Sequence, residues 1–274
     1  MTAIPGVRML LAPNPGDMTL DGTRTFLVGH ERPVVIDPGP GDLDHLEAIL
    51  AALDGATPAA ILLTHSHGDH SALARRLANE TGAPLLAPPG AVSASVDTAH
   101  VDRWIEDGDV IGTDAGDLHV VATPGHAPEH VAFHHPASGA VFVGDTFMGV
   151  GDTTLVAPPE GDLAAYLQSL ERIAALSPSL LLPAHGPPIT DPAAAIGRYR
   201  KHRETRIEQV AHALRRAGPS RTEGLIDAVY GAELNPALRL AAQGSLEAIL
   251  GYLATAGRAR ALPDGRHTLT ETDR

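Results

Sequence analysis

The segment His65-Ser66-His67-Gly68-Asp69-His70 constrains this chain more than any other stretch. It gathers three imidazoles and a carboxylate between two elements that can be read from pattern alone. Before it, Ala59–Leu63 is a short, fully apolar run that predicts a buried strand. After it, Ser71–Thr81 has helical periodicity and stops at Gly82. The histidines are thus expected on a loop between a buried strand and a helix, where ligands sit in layered α/β folds. In extended backbone His65 and His67 share one side. Gly68 would permit a tight turn, so that Asp69 and His70 face a neighbouring position.

Three further residues repeat that placement. His126 closes Thr123-Pro124-Gly125-His126, directly after the predicted strand Leu118–Ala122. Asp145 follows the strand Val141–Gly144, and His185 follows the strand Leu180–Leu182 within Pro183-Ala184-His185-Gly186. Strand ends in a layered fold converge on one edge, so these positions can meet the first loop. The chain has no cysteine, and any metal must therefore be held by imidazole and carboxylate. The other histidines read differently. His30, His45, His100, His202, His212 and His267 are scattered and read as surface or helix-face residues. His134 and His135 precede Pro136 at a strand end, and His130 is given a structural role.

The front of the chain alternates short apolar runs with turn signals. Val7–Leu11, Phe26–Gly29, Val34–Ile36, Leu85–Ala87, Val110–Ile111 and Val131–His134 are further predicted strands. Helices are predicted at Leu43–Leu53 behind the N-cap Asp42, at Asp162–Leu176, and from Pro192 to about Leu214 behind the N-cap Asp191. Gly218-Pro219-Ser220 marks a boundary. Beyond it, Thr222–Tyr230 and Leu238–Ala256 look helical, and Ala259–Leu269 looks like a hairpin around Asp264-Gly265. Helix, helix and hairpin in so short a stretch is the pattern of a winged-helix module. Two domains are expected, residues 1–217 and 218–274. No apolar run reaches membrane-spanning length, and no signal peptide is expected, which fits a cytoplasmic protein.

Charge divides the chain at nearly the same place. Residues 1–197 carry a net charge of -17 and residues 198–274 a net of +4. An acidic front domain argues against nonspecific nucleic-acid binding, which runs on basic surface.

Taken with their order, Thr64–His70, Thr123–His126, Val143-Gly144-Asp145 and Pro183–Gly186 clearly resemble the metallo-β-lactamase superfamily. The resemblance implies an α/β fold, the αββα sandwich of two mixed sheets between helical layers. It implies that His65, His67 and His126 hold one zinc, that Asp69, His70 and His185 hold another, and that Asp145 bridges both. Asp37 matches an aspartate that stands behind the ligand loop, against the reading of a turn residue before Pro38-Gly39. Iron or manganese suit the same donors. Asn14–Thr23, Thr123–His130, Gly161–Leu170 and the basic helix Tyr199–Arg206 resemble the lactamase-β-2-like group, whose members carry a C-terminal winged helix. That group includes thioesterases acting on acyl carrier proteins and a single-strand endoribonuclease. Arg24 stands where the group often has asparagine, near the expected cleft mouth, and is the candidate substrate contact.

A dinuclear site would lower the pKa of a shared water enough to give hydroxide near neutral pH. Asp69 could orient that nucleophile, and Asp69 and Asp145 are the catalytic candidates. The expected function is a metal-dependent hydrolase acting on a thioester or other acyl ester, with a small-molecule or acyl-carrier substrate. The alternative is a single-strand endoribonuclease, supported by Arg221, Arg239, Arg258, Arg260 and Arg266 in the tail. The tail could instead wall the cleft or pack against a second copy in a homodimer. A DNA-binding regulator would leave a complete ligand set idle.

Overall fold

The computed structural model describes residues 4–93 and 96–270. The outermost residues of both expected domains, 1–3 and 271–274, lie outside this range. Two sheets stack face to face. The first runs β1(Val7–Leu11), β2(Arg24–Val28), β3(Val34–Ile36), β4(Ala60–Leu62), β5(Leu85–Ala87), β6(Arg103–Trp104) in spatial order. The second runs β11(Leu180–Pro183), β10(Ala140–Gly144), β9(Val131–His135), β8(Leu118–Ala122), β7(Val110–Ile111). Helices α1(Leu43–Leu53) and α3(Ala74–Thr81) cover the first sheet, and α4(Leu163–Ala175) and α5(Pro192–Ala217) cover the second. This is the αββα sandwich.

Alternation along the strands builds the layers. In β10, Ala140 and Phe142 face the other sheet, where they meet Phe26, Ile36 and Leu62. Val141 and Val143 face the opposite way, against Tyr166 and Leu170 of α4 and Tyr199 of α5. In β3, Val34 and Ile36 enter the inter-sheet core while Val35 packs with Leu46 and Ile49 of α1. Strands buried on both faces read as continuous apolar runs, which is why β3, β4 and β10 were visible in sequence. The helix starts follow their caps. Asp42 accepts from His45 N–H, Asp162 from Ala165 N–H and Asp191 from Ala194 N–H, each contributing about 1 kcal/mol.

Strand direction decides where the loops gather. β3, β4 and β5 are mutually parallel. β10 and β11 are parallel, and β8 shares their direction because β9 is antiparallel to both β8 and β10. The C-terminal ends of β3, β4, β8, β10 and β11 therefore open on one edge of the sandwich. Two backbone contacts tie the sheets there: Arg24 N–H donates to Ala184 O at 2.8 Å, and Thr23 bridges His185.

The tail comprises a 3-10 turn at Thr222–Leu225, α6(Ile226–Tyr230), a second 3-10 turn at Pro236–Leu238, α7(Arg239–Thr255) and the hairpin β12(Ala259–Ala261)–β13(His267–Leu269). Leu225, Ile226, Leu246, Ile249, Leu250 and Leu253 pack in the same apolar cluster as α4, α5 and β10.

Three expectations are corrected. The histidine segment is not all loop: Gly68–Ser71 forms a short helical turn, α2. Gly68 has no left-handed backbone, and a Cβ there would meet nothing within 4 Å, so its glycine is not what makes the turn. His45, expected on a surface face, is 2% exposed, with Nε2 at 2.9 Å from Thr25 Oγ1. Strand β6 was not anticipated, because Arg103-Trp104 is only two residues long and exposed, and carries no apolar pattern.

Candidate metal centre

Each residue singled out at a strand end reaches the open edge. Thr64–His67 leave β4, His126 follows β8, Asp145 follows β10 and His185 follows β11. The turn of α2 swings Asp69 and His70 away from His65 and His67. At two positions a glycine is required. Gly125, before His126, has φ +134°, and a Cβ would lie 2.4 Å from the Tyr166 backbone. Gly144, before Asp145, has φ +47°, and a Cβ would lie 2.6 Å from His130 Nε2. Beyond Asp145, the Tyr166 hydroxyl donates to Thr146 O. The Tyr199 hydroxyl donates to Met148 O and accepts from Met148 N–H. Burial pushes the Tyr199 hydroxyl up to about 12, so it stays protonated and keeps the donor role.

Two donor sets form. In one, His65 Nε2 and His126 Nε2 each lie 3.0 Å from His67 Nδ1. In the other, Asp69 Oδ2 lies 3.2 Å from His185 Nε2 and 3.6 Å from His70 Nε2. Asp145 faces both. Its Oδ1 is 3.3 Å from His70 Nε2 and 3.2 Å from His185 Nε2, and its Oδ2 is 3.5 Å from His126 Nε2. Nitrogen and oxygen ligands of a four-coordinate divalent ion stand about 3.3 Å apart, as follows from bonds near 2.0–2.1 Å.

The outward nitrogens fix the tautomers. His126 Nδ1–H donates to Leu155 O at 2.7 Å, and His185 Nδ1–H to Gly22 O at 3.2 Å. His67 Nε2–H donates to Glu160 Oε2 at 2.8 Å and His70 Nδ1–H to Asp37 Oδ2 at 2.9 Å. The Thr64 hydroxyl gives its proton to Asp37 Oδ2 at 2.7 Å and so accepts from His65 Nδ1–H at 2.9 Å. All five imidazoles therefore turn a lone pair inward when neutral. His70 Nε2, Asp145 Oδ1 and His185 Nε2 are buried without a hydrogen-bond partner among the described residues. Converging lone pairs and a buried carboxylate repel each other unless a cation or protons lie between them. The donors could hold metal ions, and their hard-to-borderline N/O chemistry suits divalent ions.

Without an ion, protons take that place. Burial opposes charge on His185, but Asp145 outweighs it and holds the imidazole up at about 9. Burial likewise disfavours charged His70, yet Asp145 and Asp37 keep it well above the ordinary value. Burial would raise Asp145, and His70 and His185 reverse this and hold it well below the usual range. His65 is depressed, chiefly by burial.

Asp37 is 2% exposed, with φ 48°, and accepts from Thr64 N–H, Thr64 Oγ1 and His70 Nδ1. It stands behind the cluster. Arg24 does not line the cleft over the donors. It is 5% exposed, and its guanidinium is paired to Asp21 at 2.7 Å, while Asp21 also accepts from Gly186 N–H. The pull of Asp21 turns Arg24 toward the His185 loop, away from the expected cleft mouth.

Several supports were not read from sequence. Glu129 accepts from Ser66 N–H and Oγ, fixing the loop. Glu160 orients His67. His130 accepts from Asp145 N–H through Nε2, and burial depresses it to about 3 so that this nitrogen stays bare. Nothing in their local sequence distinguishes Glu129 or Glu160 from surface acids. The Thr64 hydroxyl follows from the strand exit only once the partner of Asp37 is known.

The donors open into a cleft of about 430 Å³. His67, Asp69, His126 and Asp145 line one end. Met18, Leu20, Met148, Leu155 and Leu234 line the middle, and the tail forms the far wall.

The sequence matches the metallo-beta-lactamase superfamily over residues 18–185. Lactamase-like protein adaB of Aspergillus niger is 34% identical over 245 residues, covering 82% of this chain and 73% of that one. The atrochrysone carboxyl ACP thioesterase of Aspergillus chevalieri is 36% identical over 219 residues, covering 77% and 66%. The crystal structure of a beta-lactamase domain protein from Burkholderia ambifaria superposes with TM-score 0.82 at 27% identity, covering 98% of this chain and 93% of that one.

Proposed function

The chain belongs to the metallo-beta-lactamase superfamily of hydrolases, and from that membership we propose that it cleaves a thioester or other acyl ester at a dinuclear site. In this reading His65, His67 and His126 hold one divalent ion, zinc by ligand chemistry. Asp69, His70 and His185 hold the second, and Asp145 lies between them. The inward lone pairs and the orphaned Asp145 Oδ1 support the assignment.

When bound, the two ions would activate a water near neutral pH and polarise the acyl carbonyl. The remaining work falls to the chain. Asp69 engages His70 and His185 through Oδ2, which leaves Oδ1 to take a proton from the attacking water and return it to the departing thiolate. Asp37 and Glu160 keep the ligand imidazoles in the tautomers that present lone pairs. The apolar middle of the cleft takes the acyl group and excludes water from it.

The cleft itself carries this reading. An enclosed, largely apolar lining suits an acyl group, not a polyanionic strand. A relative named as an acyl-carrier thioesterase supports it. So do the tail arginines, four of which are already engaged within the chain. Arg239 pairs with Asp227, Arg258 with Glu208 and Arg266 with Asp264, and Arg221 donates to Asp264 O. We place the chain in the lactamase-β-2-like group. Residues 218–274 then serve as a winged-helix module that walls the cleft, behind a boundary at Gly218.

The test is direct. Zinc-loaded protein is assayed on acyl-CoA, acyl-carrier thioesters and single-stranded RNA, with and without chelator. Chelator-sensitive thioester hydrolysis is expected. Chelator-sensitive RNA cleavage with inert thioesters would overturn the reading.

A further inference from the structure

The end of the cleft remote from the donors is unlike the rest of its lining. There α5 turns His202, Arg203 and Arg206 into the cavity, next to Tyr230. Spacings of three and four residues put these side chains on one face of the helix. Arg203 is only 3% exposed, yet its partners are uncharged. It donates to Thr154 O and lies over the Tyr166 ring at 4.9 Å. Its Nε and His202 Nδ1 are buried with no hydrogen-bond partner among the described residues. Arg206 donates to Val229 O and Gln209 Oε1 and lies over the Tyr230 ring at 4.6 Å, also without a carboxylate.

A buried guanidinium without a counter-ion is costly, and natural proteins keep one where an anion arrives to pair it. The carboxylates that line the cleft are Asp17, Asp69 and Asp145, and the last two belong to the donor cluster. His202 is held neutral by burial and by the neighbouring arginines, so it can offer a hydrogen bond without adding to their charge. In a chain of net charge -13, an uncompensated basic pocket inside a cleft runs against the general trend.

We propose that His202, Arg203 and Arg206 form an anion-binding subsite that takes a negatively charged group of the substrate, across the apolar middle of the cleft from the reacting carbonyl. This rests on the acyl-ester reading and deepens it: the substrate is apolar in its middle, with the scissile ester at one end and an anion at the other. Two sources share that chemistry, a terminal carboxylate on the acyl group and the phosphate of a phosphopantetheine arm.

Calorimetric titration of the zinc-loaded protein separates them without turnover. Pentanoate and glutarate each offer one carboxylate to the donor end, and glutarate alone has a second. Pantetheine and 4′-phosphopantetheine differ only in the phosphate. One member of one pair is expected to bind at least about tenfold more tightly than its uncharged counterpart, as one charge-assisted contact provides. That preference is expected to fall toward unity in Arg206→Met and in His202→Asn. Zinc content and thermal unfolding identify any variant that has merely lost its fold. Equal affinities within both pairs in the wild-type protein would overturn the subsite, as would a preference that survives both folded variants. If no thioester is hydrolysed but the preference and its loss are seen, the acyl-ester reading fails and the subsite stands.

Discussion

The two ends of the cleft are built on different principles. At the donor end every outward-facing nitrogen has a defined partner, and the side chains come from four strand ends and one helical turn. At the tail end one helix face supplies the polar groups, and two of their nitrogens have none. Groups satisfied from behind hold position whether or not a ligand is present. Groups left unsatisfied are completed by what binds. The first end therefore sets the reaction class, and the second is free to choose the substrate.

The comparison breaks most visibly at Asp145. Asp145→Ala removes the carboxylate that faces both donor sets, and kcat/KM is expected to fall by at least about 10³-fold. Zinc content should drop below that of the wild type, measured by elemental analysis of the dialysed protein. Wild-type activity with full metal would show that the donor end does not set the reaction.

The next effect is on stability and depends on pH. In metal-free protein, Asp145 raises His185 from its ordinary 6.5 to about 9. A raised folded-state value stabilises fully below the unfolded value and is lost as pH rises through the folded one. The metal-free protein should therefore lose on the order of 2–3 kcal/mol between about pH 6.5 and 9. Zinc-loaded protein should not lose it, because its imidazole carries no proton there to release. Denaturant titrations at several pH values in both states measure the difference, and parallel curves would show that the donors do not share protons.

Asp37→Ala removes the acceptor of three hydrogen bonds while leaving every donor atom in place. Zinc affinity should fall about 10- to 100-fold, read by competition with a chelating dye. Unchanged affinity would mean that support from behind is dispensable. At the other end, Leu234→Ala opens the apolar wall. It should raise KM for long acyl thioesters by up to about tenfold, with kcat nearly constant, since it removes contacts made equally in the ground and transition states. A fall in kcat with unchanged KM would move the tail into the reaction itself.

The same contrast governs what could be read from sequence. His65–His70, His126, Asp145 and His185 were legible because ligands at strand exits combine a local composition with a predictable edge. β4 and β10 were legible because strands covered on both faces are uniformly apolar. Glu160 was not, since its role depends on the path of a loop far from His67 in sequence. Arg24 was placed at the cleft mouth on position alone, and its pairing with Asp21 turns it elsewhere. His202, Arg203 and Arg206 looked like one solvated face of a basic helix. Only the packing of α7 against α5 encloses them, and contacts between distant helices leave no periodic trace in either.

The parallel strand ends have a mechanical consequence. His65, His67, Asp69 and His70 hang from the first sheet, while His126, Asp145 and His185 hang from the second. Each proposed ion would thus draw ligands from both sheets and act as a rivet through the sandwich, closing long loops in the way a disulfide does in a chain that has no cysteine. A shortage of metal would then do more than idle the enzyme. It would loosen the seam between the sheets and expose the chain to proteases, so that the amount of protein would follow the supply of the ion.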